Sequence, residues 1–174
     1  MVESMSAAPA NTTGQAIDKA SLLELLSEVC DPEIPVLTLQ DLGVLRDIEA
    51  CGDEITVTIT PTYAGCPAMD TMQADIRSTL HAAGFENITI QQTLTPAWTT
   101  DWMTENGRLK LKAYGIAPPG QQAGECQKPD SADINCPQCD SSAVQLISEF
   151  GSTACKALYQ CTDCREPFDY FKCI

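Results

Sequence analysis

The chain has 174 residues and a formal net charge of −14, from 24 acidic and 10 basic side chains. Such an excess of carboxylates is repelled by phosphate backbones and anionic lipid, and no apolar run reaches the roughly 18 residues of a membrane helix, so neither nucleic acid nor membrane is an expected partner. The first residues carry no cationic region followed by an apolar one, so the sequence reads as cytoplasmic, and its 10 cysteines read as metal ligands or free thiols rather than a disulfide scaffold.

Residues 1–17, rich in Ser, Ala, Asn, Thr and Gly without periodicity, are expected to form a disordered lead-in. Ser21 followed by Glu24 is a capping-box pattern, and Leu22, Leu25, Leu26 and Val29 share a helical face, which predicts a helix to about Cys30 that Pro32 and Pro35 end. The apolar stretch from Val44 and the alternating Ile55, Val57 and Ile59 flank a Cys51-Gly52-Asp53 turn and predict a hairpin. A second helix follows Cys66, with Met69, Met72, Ile76 and Leu80 at helical steps and Gly84 as its stop. Ile88, Ile90 and Leu94 then alternate as a strand, and a shorter helix is expected from about Thr104 to Tyr114, with Gly107 weighing against it. The order predicts an α+β domain over residues 18–116, a small mixed or antiparallel sheet packed by helices. Residues 117–133, rich in Pro, Gly and Gln, read as a linker to a module over residues 134–174 that is too short to hold together without a staple.

The staple is legible. Cys136 and Cys139, then Cys161 and Cys164, form two C-x2-C pairs, each able to fold into a knuckle presenting two soft thiolates. Val144 to Phe150 and Ala154 to Tyr159, turning at Gly151-Ser152, supply a two-stranded ribbon between them. Four thiolates leave no open coordination position, so a structural zinc ion is expected, with a rubredoxin-like iron site or a cluster using similar knuckles as the alternative. Cys155 and Cys173 read as packing residues, and Phe168, Tyr170 and Phe171 as core aromatics or an exposed contact patch. Acidic residues outnumber basic ones in this module, so there is no nucleic-acid footprint.

Two further features carry chemistry. Cys66, in Thr62-Tyr63-Ala64-Gly65-Cys66-Pro67 between a strand and a helix N-terminus, sits where unpaired amides and the helix dipole lower a thiol pKa, against the plainer reading of a small buried residue. Asp31 and Glu33, in Asp31-Pro32-Glu33-Ile34-Pro35, place two carboxylates on a stiff loop that could bind a metal or move a proton if folded beside Cys66, whereas alone they read as a helix terminus and a solvated charge. His81, the single histidine, reads as a surface residue.

Asp31-Pro32-Glu33-Ile34-Pro35-Val36, Asp41-Leu42-Gly43-Val44 and the Thr62 to Pro67 segment, in that order, resemble the small iron-sulfur cluster assembly proteins that include SufT-type factors. With the ribbon that holds Glu149-Phe150-Gly151-Ser152-Thr153-Ala154-Cys155-Lys156 and ends Arg165-Glu166-Pro167-Phe168-Asp169-Tyr170-Phe171-Lys172-Cys173, the whole is similar to accessory subunits of bacterial phenylacetyl-CoA epoxidase (ring 1,2-monooxygenase) systems. The resemblance implies a non-catalytic role in aerobic phenylacetate degradation. Cys66 would hold iron or a labile iron-sulfur cluster, Asp31, Glu33 and Thr62 would shape its pocket, and the oxygenase subunits, the reductase foremost, would be partners. One cysteine cannot complete a cluster's coordination, so a homodimer or a transient complex belongs to this reading. The alternative is a docking or assembly subunit whose zinc ribbon is purely structural.

Overall fold

The structure, a computed structural model, describes residues 18–120 and 134–172. The expected lead-in, most of the expected linker and Cys173 lie outside the described residues.

The first helix, α1 (Lys19–Leu25), continues as a 3-10 turn over Leu26–Glu28. Its cap is Asp18, whose Oδ1 accepts the Ser21 amide at 2.7 Å, so Ser21 lies inside the helix rather than at its start. A carboxylate there accepts an orphan amide and complements the positive helix end, which a serine hydroxyl does less strongly. Strands β1 (Leu45–Cys51) and β2 (Glu54–Ile59) form the expected antiparallel hairpin. Helix α2 (Met69–Ala82) then returns the chain so that β3 (Asn87–Gln92) pairs parallel to β2, giving the sheet order β1-β2-β3. The helix buries Met69, Met72, Ile76 and Leu80 against Ile55, Val57 and Ile59, the apolar face that period-two alternation assigns to β2.

Helix α3 (Glu105–Tyr114) forms despite Gly107. A Cβ at Gly107 would stand 2.8 Å from the Asp41 carbonyl oxygen, so the missing side chain is what lets α3 approach the Asp41 loop. Thr104 caps α3 by accepting the Gly107 amide at 2.9 Å and donates its hydroxyl to Asp41 Oδ1 at 2.8 Å. Gly43, at φ 72, leaves a similar gap for Trp102, whose indole lies 3.5 Å from the Arg46 guanidinium.

The ribbon is larger than a two-stranded hairpin. β4 (Ile116–Ala117), β5 (Val144–Ser148), β6 (Lys156–Cys161) and β7 (Pro167–Phe171) form a sheet in the order β4-β7-β6-β5. β4 pairs parallel with β7, so the residues at the expected end of the first domain and start of the linker form a strand of the ribbon's sheet. Phe168, Tyr170 and Phe171 are all buried, which decides for core aromatics. Phe168 and Tyr170 pack on Tyr159 within the ribbon, whereas Phe171 and Cys155 belong to the core of the first domain, where Trp98 meets Phe171 edge-on at 6.1 Å between ring centroids. The two parts therefore share a core. No helix among the described residues is long and apolar enough to cross a membrane.

Candidate functional site

Two groups of cysteines stand out. The first lies at the far end of the ribbon, where the knuckle after Ile134 and the β6–β7 turn bring together the thiols of Cys136, Cys139, Cys161 and Cys164, all within 4.8 Å of one another. Cys136 Sγ is 3.7 Å from Cys164 Sγ, and Cys139 Sγ is 3.5 Å from Cys161 Sγ. A disulfide would require about 2.05 Å. A tetrahedron with metal–sulfur bonds of about 2.3 Å has sulfur–sulfur edges of about 3.8 Å, so the donor set fits a tetrahedral thiophilic ion. Backbone geometry prepares the charge. Amides of Cys164 and Asp163 lower the Cys161 thiol to about 7. The Ser141 amide also lowers Cys139, but the thiols of Cys161, Cys164 and Cys136 outweigh it and push Cys139 up to about 12. Without a cation the four sulfurs cannot all be anionic, and metal binding must expel protons.

The second group surrounds Cys66, on the loop between β2 and α2. Tyr63 to Cys66 form a β-turn, closed by the Cys66 amide donating to the Tyr63 carbonyl at 3.4 Å, with Gly65 at φ 88 in its third position. Cys66 is half-buried and packs with Tyr63 against the main core. Helix α2 begins only at Met69, so Cys66 stands one turn before it and feels chiefly the Ala68 amide. Burial pushes the Cys66 thiol up, the Ala68 amide opposes this, and the carboxylates of Glu33 and Asp31 push it up further. The expectation of a lowered pKa is thus reversed, because desolvation and two like charges outweigh one amide and a helix end.

The carboxylates of Asp31 and Glu33 act on this thiol through space, as electrostatic influences behind burial and the Ala68 amide. Asp31 is 7% exposed, and its Oδ1 accepts the amides of Glu33 at 2.7 Å and Ile34 at 2.8 Å. The result is an Asx turn anchored by the buried Ile34 and Leu37, not a helix end. Burial raises the Asp31 carboxyl, against those two amides and the Lys156 ammonium. Thr62 is buried in the same loop, but among the described residues its hydroxyl makes no hydrogen bond to Cys66 or to either carboxylate. His81 is exposed, its Nδ1 2.7 Å from the Phe85 carbonyl, away from this chemistry.

Three neighbours are not legible from the sequence as site residues. Tyr63 packs with Cys66 against the main core, and burial followed by the charges of Cys66, Cys155 and Glu33 raises its own pKa. Cys155 and Lys156 enter from the ribbon, 89 and 90 positions beyond Cys66 in the numbering. For these, the one usable signal is that Tyr63 shares a motif with Cys66.

Comparison with known proteins defines the class first. Residues 19–91 match the family described as iron-sulfur cluster assembly protein, and residues 121–172 match the PaaD zinc beta ribbon domain. An Fe-S protein maturation auxiliary factor from Porphyromonas gingivalis is 36% identical over 92 residues, covering 52% of this chain and 87% of its own. A crystal structure of a domain of unknown function, DUF59, from Bacillus anthracis shares the fold at a TM-score of 0.50 and 24% identity, covering 53% of this chain and 90% of that one. The fold is thus a cluster-assembly α+β domain joined to a four-cysteine metal-binding ribbon.

The particular family follows from a longer match. The Escherichia coli protein provisionally named as the D component of 1,2-phenylacetyl-CoA epoxidase is 51% identical over 150 residues, covering 86% of this chain and 90% of its own. This chain belongs to the family of phenylacetyl-CoA epoxidase D components.

Proposed function

We propose that this protein is a non-catalytic accessory subunit of a phenylacetyl-CoA epoxidase system, acting in the cytoplasm on the other subunits of that complex. Its cargo domain, residues 18–116, receives iron or a labile iron-sulfur cluster at Cys66 and passes it by ligand exchange to an oxygenase component, the reductase foremost. The module after residue 134 holds a structural zinc ion through Cys136, Cys139, Cys161 and Cys164.

One observation carries this reading. In a domain of the cluster-assembly class, Cys66 stands at a half-buried turn packed with Tyr63 against the core, with Asp31 and Glu33 acting on its thiol electrostatically. A thiol held protonated by its surroundings is stable as a resting acceptor. Burial is the main cause of the raised pKa, and a cation that displaces the proton both removes the cost of a buried bare thiolate and balances the nearby carboxylates, so the pocket favours a positively charged cargo over an empty thiolate. Thr62 shapes the turn beside it. The name of the Porphyromonas gingivalis relative, a maturation auxiliary factor, supports the same direction. A dimer in which two copies share a cluster is one way to complete its coordination.

The test compares wild type with Cys66→Ser, purified without oxygen. Iron, sulfide and visible absorbance should accompany the wild type alone, ribbon zinc should persist in both, and the reconstituted epoxidase should lose most of its activity with the variant. A fully active epoxidase containing Cys66→Ser rejects the reading and leaves a docking subunit. That alternative has lost one support, since Phe168, Tyr170 and Phe171 are buried and do not form an exposed contact patch.

A further inference from the structure

Helix α1, the 3-10 turn that continues it, the Asp31–Pro35 loop and α2 border an open groove of about 480 Å³, to whose lining the ribbon contributes nothing. That lining combines two chemistries. Val29, Pro32 and Pro35 offer apolar surface, whereas Glu28, Asp31 and Asp75 offer carboxylates, and no lysine or arginine is among the lining residues. A cleft of this size takes one long side chain together with the backbone that carries it.

The carboxylates lack a cation from their own chain. On the segments that border the groove the lysine and arginine side chains are Lys19 and Arg77, and both are engaged elsewhere: Lys19 pairs with Asp47, and Arg77 donates to the Ile88 carbonyl at 2.8 Å. Glu28 and Asp75 are exposed, and their side chains make no hydrogen bond or ion pair among the described residues. Asp31 differs in kind. It is 7% exposed, its Oδ1 takes both turn amides, and no donor among the described residues reaches Oδ2. No buried side-chain oxygen among them is unsatisfied, so Oδ2 is open to the groove that Asp31 lines. Lys156 acts on this carboxylate from the ribbon, but it is itself buried and 3.4 Å from Asp169. A carboxylate so desolvated, with one oxygen unmatched, gains more from an incoming cation than a surface carboxylate does.

We infer that this groove is a docking site for an arginine-bearing segment of a partner protein. A guanidinium suits it better than an ammonium, because its flat faces rest on proline and valine surface while its forked donors reach several carboxylate oxygens at once. The aliphatic stem of the arginine uses the same apolar surface. A metal ion is a poorer occupant: among the described residues the ribbon quartet alone gathers three or more donor atoms within 4.8 Å, so the groove's carboxylates are not close enough for three to share one ion. The net charge of −14 draws a basic segment towards the chain, and the groove gives it a defined seat. The inference goes beyond the proposed function and does not depend on a cargo at Cys66.

The experiment titrates the full chain with an acetylated and amidated triarginine peptide at about 150 mM salt, following amide shifts by NMR and affinity by calorimetry. The shifts should cluster at residues 28–35 and 75–79, including the Glu33 and Ile34 amides that donate to Asp31. Glu28→Gln with Asp75→Asn should weaken binding about fivefold or more, whereas Glu49→Gln with Glu86→Gln, which removes the same charge from exposed positions outside the groove, should change it by less than about twofold. Circular dichroism should be unchanged in both pairs. No binding, equal weakening by the two pairs, or shifts spread over the acidic surface overturns the docking site and leaves only diffuse attraction. Spermidine carries a similar positive charge without guanidinium groups; if it displaces the peptide at equal concentration, the groove is a polyamine site and the assignment to a protein partner falls.

Discussion

Asp41 and Cys66 show the same competition between burial and charge, with opposite results. Burial raises the Asp41 carboxyl, but the Lys110 ammonium at 2.5 Å, the Thr104 hydroxyl and the Asn106 amide outweigh it and hold the group at about 2. A depressed carboxylate stabilises the fold above its unfolded pKa, and this contribution is lost as pH falls from about 4 through about 2. Asp41→Asn should therefore cost about 2 kcal/mol at pH 7, and urea unfolding should show the difference shrinking across that acid window. At Cys66 burial and the carboxylates prevail over the Ala68 amide. Its alkylation by iodoacetamide should rise only at a pH above that of a free cysteine, and Glu33→Gln should move the midpoint down.

Among the elements, the approach of backbone segments decides more than propensity does. Gly43 adopts φ 72, and a Cβ there would lie 2.5 Å from the Trp102 carbonyl oxygen. Gly43→Ala combines left-handed strain with a clash that backbone must absorb, so it should cost about 3 kcal/mol or more, read as a fall in melting temperature of about 6 °C or more. The ribbon depends on its knuckles in a different way. With a small core centred on Tyr159, Phe168 and Tyr170, its strands are expected to depend on a metal held by the knuckles. Cys136→Ser or Cys161→Ser should lose zinc and the circular dichroism of β5 to β7, and a ribbon that stays folded without metal would contradict that dependence.

Over the full chain, the shared core would make a metal bound in the ribbon a stabiliser of the first domain as well. Phe171 is 1% exposed and packs on Trp98, so Phe171→Ala should cost about 3–5 kcal/mol and loosen the junction between the ribbon and the first domain. Removing zinc with a chelator should have a related effect, shifting tryptophan emission to the red as Trp98 gains water. Unchanged emission after complete zinc loss would mean that the parts are independent. The charge of −14 acts at this level too, opposing self-association at low salt and favouring a basic surface on a docking partner.

The features legible in the chain alone are local: the hairpin, the apolar face of α2, the turn before Cys66 and the two cysteine knuckles. Each rests on residues a few positions apart, whose spacing directly sets a period, a turn or a chelating pair. Asp18 shows the limit even there, since the more acidic residue won the cap from Ser21. Folding in three dimensions decided the rest. The parallel pairing of β4 with β7 joins Ile116 to Asp169, and Phe171 and Cys155 leave their own ribbon to fill the core of the first domain. Even the protonation of Cys66 belongs to this level, because a helix end is visible in sequence, whereas desolvation and the carboxylates of a distant loop exist only once the chain has folded.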